Sequence, residues 1–350
     1  MDRFNKRIQN IPQNLWNLIN KIDELKGRWV GGASLNPQIL TRLKKSVLVT
    51  STGASTRIEG AQLSDEDVDK LMRGLSMQKF RNIDKQEVQG YYELLENVFG
   101  AHDKIPFSEG SLKHLHKELL KYVEKDTFHR GDYKKEENQV EMIDETGRSV
   151  AVIFATTPAW LTPKEMQELM EWTQEAVVKK ETHPLLMLGN FLVEFLKIHP
   201  FQDGNGKMSR ILTNLFMLQH GYEYVPYVSH EKLIEDNKSE YYVALRQSQK
   251  TFKTETEDIS AWLEFFLNVL LAQAKEAITL LSKENIEKLL SPKQLAVWVF
   301  LLTVGEATPG EISEATKVAR PTVSQAIDVL LRLKKVERIG QGRTTRYKKI

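Results

Sequence analysis

KIHPFQDGNGKMSR, residues 197–210, gathers a histidine, a carboxylate, an asparagine between two glycines and two cations into one short stretch. Just upstream, residues 185–198 (LLMLGNFLVEFLKI) are apolar nearly all round, which predicts a buried central helix. That helix delivers His199 at its C-terminal end and stops at Pro200. QDGNG then supplies a tight turn, and KMSRILTNLFMLQHG reads as a second helix ending at Gly221. The frame is helix, loop, helix.

Two glycines around Asn205 at a helix start let backbone N–H groups converge on one point, and the helix dipole makes that point an anion site. Gly204 and Gly206 leave room for a phosphate that a Cβ would obstruct. Lys207 and Arg210, three residues apart, share a helix face and can look back toward the same anion. Asp203 at the lip suits a hard cation such as Mg²⁺ bridging phosphates, and His199 stands one turn of loop away as a general base. Taken singly, each piece has a plainer reading. A Gly-x-Gly turn is most often only a turn, a histidine after an apolar helix is most often packed, and Lys207 with Arg210 also fits a solvated face. The coincidence of all of them within twelve residues favours function.

Around this stretch the chain is ordinary in composition, with 350 residues, a net charge of +2 and no cysteine. Disulfide frameworks, thiolate catalysis and cysteine-bound zinc are excluded. No secretory leader pattern opens the sequence and no run of about 18 apolar residues occurs, so a cytoplasmic protein without a membrane partner is expected. Residues 291–350 hold 11 Lys/Arg against 5 Asp/Glu, a local excess of +6, so the remainder is near −4. That asymmetry points to a nucleic-acid contact at the C-terminal end only.

Apolar spacing predicts helices over 12–27, 36–50, from Ser64, and over 88–99, 108–123 and 162–180. One β-prone segment interrupts them. NQVEMIDETGRSVAVIF predicts a hairpin, residues 140–154, about the turn Asp144–Gly147. From residue 291, three short helices and two strands about Gly340-Gln341-Gly342 follow the order of a winged helix-turn-helix. There Arg320, Thr322, Ser324 and Gln325 on the third helix would address DNA, and Arg343 and Arg346 in the wing would contact phosphate.

His199, Phe201, Asp203, Gly204, Asn205, Gly206 and Arg210 match the signature H-x-F-x-[D/E]-G-N-G-R-x-x-R, and the chain thus resembles the Fic/DOC family of AMP transferases. The one departure is Lys207, which keeps the charge of the usual arginine but not its planar fork. The resemblance implies a mainly α fold: a Fic-like helical core with a β-hairpin flap, plus the C-terminal winged helix. It further implies ATP as substrate, Mg²⁺ on Asp203, His199 deprotonating a Ser, Thr or Tyr hydroxyl, phosphates in the glycine nest, and Phe201 packed beneath the loop. Ile153, Phe154 and Ala155 would be the flap's nucleotide-side residues, the flap holding a target segment by strand addition. In NKSEYYVAL, Tyr241 matches a tyrosine bordering adenine, Tyr242 also fits the core, and Gln249 stands where relatives place an asparagine.

STRIEG, residues 55–60, reads by itself as a capped helical turn with a nearby acid. Within the resemblance it is similar to the inhibitory motif [S/T]-x-x-x-E-[G/N], met by Ser55, Glu59 and Gly60. Glu59 paired with Arg210 would then occupy the cation meant for the γ-phosphate. The regions expected are 1–110 with the inhibitory helix, 111–285 as the catalytic core, and 286–350 as the winged helix. The partners expected are ATP and a protein hydroxyl in a target or in this chain, with DNA or protein as the winged helix's partner and a homodimer both left open. The alternative function is a nucleotide-sensing, DNA-binding transcriptional regulator whose Fic core turns over weakly or not at all.

Overall fold

The computed structural model describes residues 2–32, 37–74, 82–143, 149–333, 335–340 and 345–350. Helices α1 (Asp2–Gln9), α2 (Gln13–Gly32), α3 (Pro37–Ile58), α4 (Asp65–Met72), α5 (Asn82–Ala101) and α6 (Glu109–Leu119) come first. An antiparallel hairpin follows, β1 (Gln139–Ile143) and β2 (Ser149–Ala155), then α7 (Thr162–Lys179), α8 (Pro184–Ile198), α9 (Asn205–Gln219), α10 (His230–Asp236), α11 (Lys238–Gln249) and α12 (Ser260–Leu289).

α8 is the axis of this region. Every position from Leu185 to Leu196 is buried, and Leu188, Phe191, Leu192 and Phe195 are almost fully withdrawn from solvent, each contributing roughly 1.5–3 kcal/mol by transfer. An all-apolar cylinder must be covered on several sides, and α1, α7, α9 and α11 all pack on it. Its buried Glu194 is satisfied by Arg3 and Arg7 of α1, each at 2.6 Å, and the Asn190 amide donates to the Phe4 carbonyl at 2.8 Å. α3 packs on α5 and α10, and α5 on α9. For this reason the region 1–110 is not a separate body. The compact units are 1–278 and 279–350, so the expected boundary at residue 110 disappears into one core and the second boundary falls at 279 rather than 286.

In the hairpin Gln139 pairs with Ala155, Val140 with Phe154 and Glu141 with Val152, so Ile153 is the extra residue of a bulge. The turn Asp144–Gly147 and the side chains of Ile153 and Phe154 lie outside the described residues; Ala155 is exposed.

The second unit holds α13 (Pro292–Val304), β3 (Glu306–Ala307), α14 (Pro309–Thr316), α15 (Arg320–Arg332), β4 (Val336–Ile339) and β5 (Arg346–Lys349), with sheet order β3-β5-β4. Capping boxes at Ser291 and Thr308 start α13 and α14. Val297, Leu301, Ile312, Val323, Ile327 and Leu330 form its core. Two strands were expected, but three are present, because Glu306 and Ala307 pair with Lys348 and Tyr347. Arg320, Ser324 and Gln325 are exposed and Thr322 is half-buried. Arg346 is not a free phosphate ligand: its guanidinium ion-pairs with Glu306 and Glu311, both at 3.2 Å. Arg343 lies outside the described residues. Among the described residues no helix is long and apolar enough to cross a membrane.

Candidate active site

α8 ends where His199 takes a left-handed conformation (φ 53°, ψ 60°), its amide still donating to the Phe195 carbonyl at 2.8 Å. The ring Nδ1 faces the Leu196 carbonyl at 3.3 Å, so Nδ1 carries the proton and Nε2 remains an acceptor. Burial, aided by the nearby Lys134 ammonium, pulls the imidazole down to about 4. At neutral pH His199 is an uncharged ring with a free acceptor, as a general base requires.

The loop beyond it is pinned from three sides. Asn205 accepts from the Phe201 amide at 2.9 Å and donates to the Phe201 carbonyl at 2.8 Å. Its side chain therefore closes the loop, and only its backbone is left for an anion. Phe201 is buried and stacked on His116 at 3.8 Å between centroids. The Gly131 amide donates to His116 Nδ1 at 2.9 Å, so Nε2–H donates to the Asp203 carbonyl at 3.0 Å. Burial holds this second histidine down to about 4 as well. Gly204, at φ 76°, makes the turn into α9.

Asn205, Gly206 and Lys207 form the first turn of α9, where amides have no acceptor inside the helix. A carboxylate of the protein sits over that turn. Glu59 Oε1 accepts from Arg210 at 2.6 Å and Glu59 Oε2 from the Lys207 ammonium. A Cβ on Gly206 would stand 2.5 Å from Glu59 Oε1, so glycine is what admits the carboxylate. Arg210 also donates to Ser55 Oγ at 2.7 Å and to the Ser55 carbonyl at 2.9 Å. Gly60, at φ 98°, turns the chain away just after α3. α3 itself is fixed by buried Glu231 of α10, which accepts from Ser51 at 2.7 Å, Asn214 at 2.7 Å and Tyr91 at 3.1 Å.

Lys207 is 3% exposed and has a second partner, Glu87 of α5, at 3.2 Å. Burial would lower the Lys207 ammonium, but Glu59 and Glu87 outweigh it and raise it. Burial would raise Glu59, yet Lys207 and Arg210 hold it below the usual carboxylate range. Glu87 moves the other way, pushed up by burial and by the charges of Asp203 and Glu59 against the pull of Lys207.

Asp203 is held down to about 2: burial opposes this, but Lys207, Lys125 and the Gly204 amide prevail. Oδ1 accepts from Gly204 N at 2.6 Å and Oδ2 faces Lys125 at 3.1 Å. Asp203 is thus an ionised, half-exposed carboxylate beside the start of α9, of the oxygen type that could hold a hard cation.

Tyr241 is buried against Trp262 and Phe265, at 5.8 Å from each. Tyr242 is half-exposed, and both tyrosines lie in the field of Glu59 and Arg210, the Tyr241 hydroxyl also bonding Ser209. Gln249 is buried and donates to the Val193 carbonyl at 3.3 Å, inside the core. Glu87, His116 and Lys134 were not foreseen: each lies in an unremarkable helix or loop, with no spacing that ties it to the motif.

Residues 106–217 match the model of the Fic/DOC family. A Fido domain-containing protein of Dictyostelium discoideum is 32% identical over 110 residues, 29% of this chain and 69% of that protein. The chain belongs to the Fic/DOC family. A probable protein adenylyltransferase of Aquifex aeolicus is 32% identical over 85 residues, but the match spans only 24% of its length and 23% of this chain. Among solved structures, a Fic family protein from Desulfovibrio desulfuricans shares the fold at a TM-score of 0.64 and 24% identity, covering 97% of each chain. The mainly helical architecture is thus that of a Fic protein, and the matched span carries His199 and the whole glycine loop.

Proposed function

We propose that this Fic protein is an adenylyltransferase that moves AMP from ATP to a Ser, Thr or Tyr hydroxyl of a partner or of itself, and that Glu59 restrains it. The observation that carries the proposal is a neutral His199 beside an anion site that Lys207, Arg210 and the start of α9 build and that Glu59 fills. The Aquifex relative, named a probable protein adenylyltransferase, supports the same chemistry. In the proposed step the target oxygen attacks the α-phosphorus and its proton passes to His199 Nε2. The bond to the bridging oxygen breaks and pyrophosphate leaves with the electron pair. Arg210 and Lys207 neutralise the phosphates, the α9 amides receive their oxygens, and Asp203 would hold Mg²⁺, which adds charge neutralisation there.

Glu59 restrains the step because Arg210 and Lys207 cannot serve its carboxylate and a γ-phosphate at full strength together. ATP can then enter only in a displaced pose. The test compares ATP labelled at the α- and at the γ-phosphate on Glu59→Gly protein with cell extract and Mg²⁺. Protein-bound label from the α position only is expected. No α-label in a folded Glu59→Gly protein would remove the proposal.

A second function is favoured by one observation, the two carboxylates on Lys207. A cation so compensated suits a core that binds nucleotide with little turnover, the second unit reading duplex DNA through Arg320, Ser324 and Gln325. A salt-dependent shift of duplex DNA tests it.

A further inference from the structure

Lys134 is 3% exposed, and among the described residues no carboxylate lies within ion-pair distance of its ammonium. Burying such a charge is costly unless its donors are satisfied. Here three neutral oxygens take all three N–H bonds: Asn138 Oδ1 at 2.7 Å, Thr156 Oγ1 at 2.9 Å and the Ile198 carbonyl at 3.1 Å. The Lys134 backbone amide donates to the Pro200 carbonyl at 2.8 Å. Asn138, in turn, donates to the Phe201 carbonyl at 2.9 Å. Thr156 Oγ1 donates to the Asn138 carbonyl at 2.7 Å.

The position of these partners gives the lysine its meaning. Asn138 immediately precedes β1 and Thr156 immediately follows β2, so they are the two feet of the hairpin, next to the pair Gln139 and Ala155. Ile198, Pro200 and Phe201 bracket His199. The ammonium therefore joins both feet of the hairpin to the carbonyl before the base, while the Lys134 amide and the Asn138 side chain hold the backbone after it. A methionine would fill the same volume without the cost of a buried charge, but it could not make the three bonds.

We infer that Lys134 is a positioning residue: it locks the β1–β2 hairpin to the His199 loop, so that a target strand added to the hairpin arrives in fixed register with the base. This deepens the adenylyltransferase proposal and rests on it for its effect on catalysis. The lock itself stands on the geometry. Two further consequences follow from the ammonium. Its charge helps to hold the His199 imidazole down, against the opposite pull of Glu59 and Asp203. Burial lowers Lys134 itself to about 8, opposed by Glu137 and Glu165 and aided by Lys197, so above that pH one of the three bonds is lost.

The test uses full-length protein with Glu59→Gly as the active background, and adds Lys134→Met or Thr156→Val. Thr156→Val removes a hairpin foot while keeping the charge. Lys134→Met is expected to cut kcat for protein modification by about 10- to 100-fold, with the KM for ATP unchanged, because a small misplacement of base against target is costly. It should also abolish the decline in kcat above pH about 8 and raise the His199 titration seen by NMR. Thr156→Val should cut kcat and leave that titration in place. Both variants should speed hydrogen exchange of the β1 and β2 amides. Unchanged kcat, exchange and titration in folded Lys134→Met protein would overturn the inference. If that variant does not fold, unchanged kcat and exchange in Thr156→Val overturns it instead. If Glu59→Gly with Lys134 intact transfers nothing, the adenylyltransferase proposal fails, while exchange and titration still decide whether the lock exists.

Discussion

The two ends of the site are held by opposite means. The base end, His199 through Phe201, is fixed by hydrogen bonds between neutral groups and one ammonium that has no carboxylate partner among the described residues. The anion end, Lys207 and Arg210, is held by full charge pairs with Glu59 and Glu87. An incoming anion does not compete for neutral bonds of this kind. Charge pairs are exchangeable, because a phosphate can take the place of a carboxylate on the same cations. The site is therefore rigid where a proton must be placed and replaceable where a ligand must compete.

The largest expected effect breaks the rigid end. With Glu59→Gly as background, His199→Ala should lower transfer by ~10²- to 10⁴-fold, the range of a general base, and leave ATP affinity nearly unchanged. Labelling rates and calorimetry on the same preparation check both halves. Since the imidazole titrates at about 4, transfer by the active protein should hold its rate down to mildly acid pH and fall only as His199 gains its proton. Unaltered labelling in the alanine variant would show that another group takes the proton.

At the exchangeable end, Glu59→Gly should raise transfer by ~30- to 1000-fold, equivalent to about 2–4 kcal/mol, since it frees Arg210 from its carboxylate partner, leaves Lys207 with Glu87 alone and removes a repelling carboxylate. Arg210→Ala should cancel this gain, because Arg210 is the group that Glu59 occupies and the two effects cannot add. Equal activation by Glu59→Gly with and without Arg210 would break the proposed link between pair and restraint.

Much of this contrast was legible in the residues. The apolar run 185–198 made α8 the buried axis, and a glycine turn at a helix start announced an anion site with Lys207 and Arg210 on one face. Local chemistry sufficed there, since every group lies within one loop and one helix turn. The pairing of Glu59 with Arg210 came from a resemblance, because nothing in the spacing brings two residues 151 apart into contact. Glu87 and Lys134 escaped for that same reason: their roles depend on which helix or loop packs beside the motif. Asn205 and Tyr241 show the opposite limit. Their residue types suited a ligand; the fold turns the Asn205 side chain back on Phe201, and it packs the Tyr241 ring on Trp262 and Phe265 while the hydroxyl stays beside Ser209 in the field of Arg210. Residues 1–110 share one compact unit with the helices that follow, Arg3 and Arg7 pairing with Glu194 of α8.

The smallest expected effect sharpens the contrast at Glu87. Its carboxyl is pushed up by burial and by neighbouring carboxylates, so it is the weaker of the two anions on Lys207. Glu87→Gln alone should change transfer by only about twofold, because Glu59 still holds the ammonium. Combined with Glu59→Gly it leaves a buried Lys207 without either partner, which should destabilise the protein by about 3–5 kcal/mol and lower its Tm. An ATP phosphate would then restore what both carboxylates supplied. The KM for ATP should drop about three- to tenfold below that of Glu59→Gly alone, worth roughly 0.7–1.4 kcal/mol, and ATP should raise the Tm more in the double variant than in the parent. Thermal melts with and without ATP and Mg²⁺ measure this directly. An equal ATP-induced shift in parent and double variant would mean that phosphate does not replace carboxylate on Lys207, and the anion end would then be as fixed as the base end.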